Sequence, residues 1–286
     1  MGESSTAGVG GDLADEDTWP WRVADLLKKD LRGKKLEFIN AALGGYSTFE
    51  SFGRLWSRIR FFSPDIIVVA HGWNEMYYFN KVDDITSWRT LPDGSWGFSR
   101  TMKIAIYKPL WIDQLFRNSQ ILTKIRLRLS KPIAGEAGVA KPLQNSYDRR
   151  GLEIFRTNLR LIKATASILG AKLFVIKQAT LVVPNLPKEY RGWCRYEYHG
   201  FDHDAHVDAF KQIYRIIDEE IEPDFVIDET SLSGVPEYFY DHIHPNVLGA
   251  QKIAEIVAQK LQVHLAILRS SDARNVVPPL NQAAIC

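Results

Sequence analysis

The chain is poor in cysteine: two in 286 residues, Cys194 and Cys286, the second being the last residue. A disulfide framework is therefore excluded as the source of stability. It also lacks an uninterrupted apolar run near the roughly 18–20 residues needed to cross a bilayer. There is no Gly-x-Ser-x-Gly elbow, which argues against the α/β-hydrolase fold. No dinucleotide fingerprint or phosphate loop occurs. A strong charge of one sign is missing as well: the formal net charge is +2, so composition gives no push toward nucleic acid. What remains is an ordinary globular balance, 45% hydrophobic and 24% charged, long enough to bury a sizeable core.

The hydrophobic pattern alternates between helix and strand periods. Residues 19–31 and 47–60 have helical spacing, broken by Ser63-Pro64. Residues 36–39 (LEFI) predict a short strand ending at Asn40, and Asp65–Ala70 (DIIVVA) a buried parallel strand. Then come a helix over 148–169, a strand over 171–179, a helix over 203–221, a strand over 224–228 and a helix from about Pro245 to Leu261. Residues 1–18 are small, acidic and glycine-rich and predict a loop. Such alternation predicts a parallel sheet with helices on both faces. The division expected is one domain over 1–262, interrupted by an irregular insertion at about 76–147, and a tail over 263–286. In such sheets ligands bind beyond the carboxyl ends of the strands, so the loops after strands are where chemistry is to be sought.

Four segments near such loops carry suitable side chains: Gly2-Glu3-Ser4, Gly44-Gly45, Gly72-Trp73-Asn74-Glu75 and Asp241-His242-Ile243-His244-Pro245. Acyl transfer needs a nucleophile, a base, an orienter for the base and donors for the oxyanion. Asp241 and His244 are three apart, so a near-helical turn puts them on one side, with Pro245 suited to a first helical position. The aspartate can then hold Nδ1–H and leave Nε2 for the serine. Glycines let backbone N–H groups approach a ligand closely, and the Asn74 amide can donate to a developing negative oxygen.

In this order the four segments resemble the sequence blocks of the SGNH (GDSL-like) hydrolase superfamily. Gly2-Glu3-Ser4 looks like its Gly-Asp-Ser block and Gly72-Trp73-Asn74-Glu75 like its Gly-x-Asn-Asp block, each with glutamate for aspartate. The resemblance implies a flavodoxin-like three-layer α/β/α fold and ester hydrolysis through an acyl-enzyme, with no cofactor. Carried over, Ser4 is the nucleophile, His244 the base and Asp241 its orienter. The N–H groups of Ser4 and Gly45, with the Asn74 side chain, form the oxyanion hole. Trp73, Gly44 and Glu75 are expected beside the substrate, a carbohydrate O-acetyl ester or a lipid ester. The family places its serine just after a central first strand. Only three residues precede Ser4, so that strand is expected to be missing and the true start to lie upstream of Met1, with any signal or anchor segment. An O-acyltransferase using the same triad, or an inactive ligand-binding relative, are the alternatives.

Other features have two readings. Asp202-His203-Asp204 with His206 and Asp208 fits a helix start or, less readily, a metal site. His71 is a packed strand-end histidine or a pocket wall. The basic stretch 103–131 is a lid or surface insertion, or a contact with a membrane surface. The tryptophans other than Trp73 are read as core.

Overall fold

The computed structural model describes residues 1–8, 13–30, 36–79 and 142–272, with Arg89–Thr90, Trp96–Gly97, Ser119 and Ile121 between; side chains are described to residue 265. The insertion at 76–147 falls largely, and the basic stretch 103–131 almost wholly, outside the described residues. Three parallel strands form the sheet in chain order: β1 (Ile66–Ala70), β2 (Lys172–Lys177) and β3 (Val226–Asp228). Register pairs Ile66 with Lys172 and Val175 with Val226. Leu173, Phe174, Val175 and Ile176 are all buried, as a central strand covered on both faces requires.

Among the described residues the helices are α1 (Ser4–Ala7), α2 (Trp19–Asp30), α3 (Thr48–Ser57), α4 (Arg150–Ile168), α5 (His203–Glu220) and α6 (Val247–Asp272), besides the single turn Lys188–Arg191. α2 packs on α6, while α4 packs on both α3 and α5. The result is the expected three-layer α/β/α arrangement. Local chemistry sets the helix starts. Ser47 and Glu50 form a reciprocal capping box on α3. The Asp202 carboxylate accepts from the Ala205 N–H at the start of α5 (3.0 Å).

Several expectations need correction. Residues 36–39 form no strand. Gly2 bridges to Ala70 in parallel, and its carbonyl accepts from the Leu43 N–H (3.1 Å). Two residues thus occupy the position beside β1 where the first strand was expected to be missing. The 1–18 segment is not all loop, because Ser4–Ala7 turn as a helix. α6 begins at Val247, not Pro245, since the Asn246 side chain accepts from the Gly249 N–H (2.9 Å) and caps it. α6 also runs past Leu261 to Asp272. No glycine or proline interrupts 262–272, so nothing in the sequence stops it there. Among the tryptophans, Trp19 is buried, but Trp21, Trp56 and Trp193 are exposed.

Candidate active site

Ser4 opens α1 directly beyond the Gly2 bridge. Gly2 has to be glycine: a Cβ there would lie 2.7 Å from the Ala70 carbonyl oxygen and 2.5 Å from Thr6 Oγ1. This close approach sets Ser4 at the carboxyl end of β1. From the other end of the chain, Asp241 folds its own turn. Its Oδ1 accepts from the backbone N–H groups of Ile243 (2.9 Å) and His244 (2.8 Å). Its Oδ2 lies 2.7 Å from His244 Nδ1. The three-residue spacing therefore works through side-chain-to-backbone bonds, not through the near-helical turn expected.

His244 Nε2 lies 2.8 Å from Ser4 Oγ. An ionised carboxylate only accepts, so Nδ1 carries the hydrogen and the Nε2 lone pair faces the serine hydroxyl. Burial works against charge on Asp241. The His244 hydrogen bond and charge, with the two backbone N–H groups, outweigh it and hold the carboxyl well below the usual range. Ser4, Asp241 and His244 are each half-buried, so the hydroxyl and imidazole stay within reach of a small molecule.

The neighbouring imidazole differs. His242 is buried, and burial pushes it down to about 4 despite Asp241 beside it. Its Nδ1–H donates to the Trp193 carbonyl (3.1 Å). His242 stays uncharged near neutral pH, leaving His244 as the partner of Asp241.

Two of the expected oxyanion donors, Gly45 and Asn74, meet at one turn. Gly45 has φ +82°, a left-handed conformation natural to glycine, in the turn closed by Tyr46 N–H to the Leu43 carbonyl (3.2 Å). Asn74 Nδ2 donates to the Tyr46 carbonyl (3.1 Å), which places its amide one residue from Gly45. Gly44 sits in the same turn, half-buried. The other two residues expected at the substrate are placed inside. Trp73 is buried and packed against His199, His206 and His242, with ring centroids 4.1–5.1 Å away. Glu75 is buried with both oxygens on Thr48, taking its N–H (2.5 Å) and hydroxyl (2.8 Å). Burial raises Glu75 to about 8 against those bonds, with Glu50 and Glu3 adding to the rise.

Two residues that the sequence did not single out tie these parts together. The buried Glu3 carboxylate accepts from the Asn74 backbone N–H (2.9 Å), so the residue before the serine holds the asparagine loop. Gln178, just past β2, donates through Nε2 to Ser5 Oγ (2.5 Å) and accepts the Trp73 N–H at Oε1 (3.4 Å). A buried polar side chain immediately after a strand that points at the site was the available signal for Gln178. Behind α1 lies a cavity of about 10 Å³ lined by Ser5, Thr6, Gln178 and Glu229. Burial raises Glu229 to about 8, against the Ala179 N–H it accepts.

The Asp202–Asp208 segment is used up by structure. His206 Nδ1–H donates to the Asp202 carbonyl (2.7 Å) and Asp208 accepts the Tyr147 hydroxyl (2.7 Å). Among the described residues no cluster suits a metal ion. His71 is buried, with Nε2 2.8 Å from Ser51 Oγ.

No family model and no curated protein matches the sequence. Solved structures do. Axe2, an acetylxylan esterase from Geobacillus stearothermophilus, is 11% identical over 91% of this chain and 90% of its own, with a TM-score of 0.50. A catalytic mutant of the same enzyme gives 0.51 at the same identity and coverage. The psychrotrophic esterase EstA from Pseudoalteromonas sp. is 13% identical over 93% and 96%, with a TM-score of 0.48. The class is thereby set: a three-layer α/β/α chain. At 11% identity the likeness to Axe2 is one of fold alone.

Proposed function

We propose that this chain is a serine esterase that cleaves carboxylic esters through an acyl-enzyme. The single observation that carries the reading is the continuous relay from Ser4 Oγ to His244 Nε2 (2.8 Å) and from His244 Nδ1 to Asp241 (2.7 Å). Ser4 Oγ attacks the ester carbonyl carbon as His244 Nε2 takes its proton. The negative oxygen of the tetrahedral intermediate is met by the N–H groups of Ser4 and Gly45 and by the Asn74 amide. His244 then gives the proton to the departing alkoxide, leaving Ser4 acylated. Water, deprotonated by the same imidazole, attacks the acyl carbon and restores the serine.

Acetyl esters on carbohydrate are the first substrates to test, because a solved structure of this fold is an acetylxylan esterase. The decisive experiment is labelling with a fluorophosphonate probe alongside hydrolysis of a chromogenic acetate. Labelling of the parent and its loss in Ser4→Ala supports the reading. An unlabelled parent, or equal labelling of both proteins, overturns it.

A further inference from the structure

We propose that the tip Trp56–Phe62, at the end of the sheet remote from Ser4, is an anchor for an anionic lipid surface. This is a different segment from the basic stretch 103–131 and does not depend on the esterase reading.

The sequence from Ser51 to Pro64 contains three arginines and no acid. Leu55 and Ile59 are buried and hold the segment on the core. Ser63 then turns in the left-handed region (φ 46°) before Pro64 leads into β1. Between these fixed points Trp56, Phe61 and Phe62 project outward, 52%, 71% and 61% exposed. A folding chain gains by burying such rings, so three of them on one tip call for a partner. The Arg60 guanidinium lies over both the Trp56 ring (4.4 Å) and the Phe61 ring (4.6 Å). Arg58 is exposed in the same turn. Neither arginine has a carboxylate partner among the described residues.

The size of the patch chooses between partners. At about 200 Å² per ring the three expose roughly 350 Å², well under the ~800 Å² per partner of a stable protein interface. A bilayer needs no such area. Aromatic rings settle at the headgroup level, and each arginine near an anionic surface strengthens binding about fivefold. The tip precedes the first residue of β1, whereas Ser4 lies by its last, four steps and roughly 13 Å along the strand. An anchored chain therefore presents its serine toward the aqueous phase.

Co-sedimentation of the full chain with phosphatidylcholine vesicles, with and without about 30% phosphatidylserine, tests this. Binding is expected only with phosphatidylserine and weakens with added salt. Phe61→Ser with Phe62→Ser, and separately Arg58→Glu, each reduce it, the first at least tenfold and the second at least fivefold. Both variants keep the parent's thermal melting, since all three side chains are exposed. Failure of the parent to bind, or binding unaffected by either variant, overturns the proposal. So does self-association of the parent that the phenylalanine variants abolish, because the patch would then belong to a second copy.

Discussion

Replacing Asp241 by asparagine tests the relay at its most constrained point. The aspartate uses one oxygen for two backbone N–H groups and the other for His244 Nδ1. Asparagine has one accepting oxygen and one donating NH₂. If its oxygen keeps the backbone pair, its NH₂ faces Nδ1, which must then give up its hydrogen. The hydrogen moves to Nε2 and points at Ser4, so the base loses its lone pair. If the amide flips, its NH₂ meets two N–H donors in a half-buried turn, leaving those donors unpaired at about 1–3 kcal/mol each. The first arrangement is therefore preferred, and it is the inactive tautomer. In serine proteases built on the same logic this substitution costs about 10⁴ in kcat, about 5.5 kcal/mol of barrier. A fall of about 10³–10⁴ in kcat is expected here, with little change in KM or Tm because the turn keeps its backbone bonds. The assay is steady-state hydrolysis of a chromogenic acetate, with fluorophosphonate labelling rates in parallel. An Asp241→Asn protein within tenfold of the parent would remove Asp241 from the mechanism.

Three further outcomes follow from the same geometry. Asn74→Ala should lower kcat by about 10²–10³ with KM nearly unchanged, as loss of one oxyanion donor does; activity equal to the parent's would exclude the amide from the reaction. Glu229→Gln should leave Tm at pH 5 close to the parent's and raise it at pH 9. Burial raises the folded carboxyl to about 8 from its ordinary 4.5, so the parent holds that stability below about 4.5 and loses it as pH climbs through 8. A parent and variant with parallel Tm curves would refute this. Gly2→Ala should destabilise the fold by about 1–3 kcal/mol through the clash with Ala70, seen as a lower urea midpoint, and a neutral result would contradict the close approach.

The parts of this chain that were legible in its sequence are those set by local pattern. The runs that form β1 and β2, and the 3.6-residue periods of α2, α4 and α5, predict the layers from pattern alone. Ser4, Asn74, Asp241 and His244 stood out because each falls in a glycine- or turn-rich loop. What stayed hidden depends on contacts between distant segments. Glu3 seemed a neutral replacement for aspartate, yet its carboxylate holds the Asn74 backbone. Glu75 and Trp73 shared a motif with Asn74 and so seemed to face substrate. The whole 3₁₀ turn Trp73–Phe79 is buried, Asn74 included, so Trp73 packs on imidazoles and Glu75 on Thr48. The 36–39 run forms no strand because a strand needs a ladder partner, and no ladder pairing is described for it. The exposed tip at Trp56–Phe62 was unreadable for the opposite reason, since aromatic residues in a sequence suggest core.

Gln178 offers the sharpest separation between a structural and a positioning role. Its side chain spans the two halves of the site, touching Ser5 behind the nucleophile and the Trp73 N–H before Asn74. Gln178→Leu keeps the approximate shape but leaves a hydroxyl and an N–H buried without their partner, at about 1–3 kcal/mol. A residue that only filled space would lower Tm and leave the turnover of the folded fraction alone. A strut that sets the distance between serine and oxyanion donors would lower kcat as well, since a misplacement of about 1 Å costs on the order of 10²-fold. The geometry favours the strut: kcat normalised to phosphonate-titrated sites should fall between tenfold and about 10²-fold, and Gln178→Glu, which retains an oxygen for Trp73 but brings a charge into the buried contact, should not restore it. Unchanged normalised kcat in Gln178→Leu would reduce Gln178 to packing and leave Glu3 to tie the serine turn to the asparagine loop.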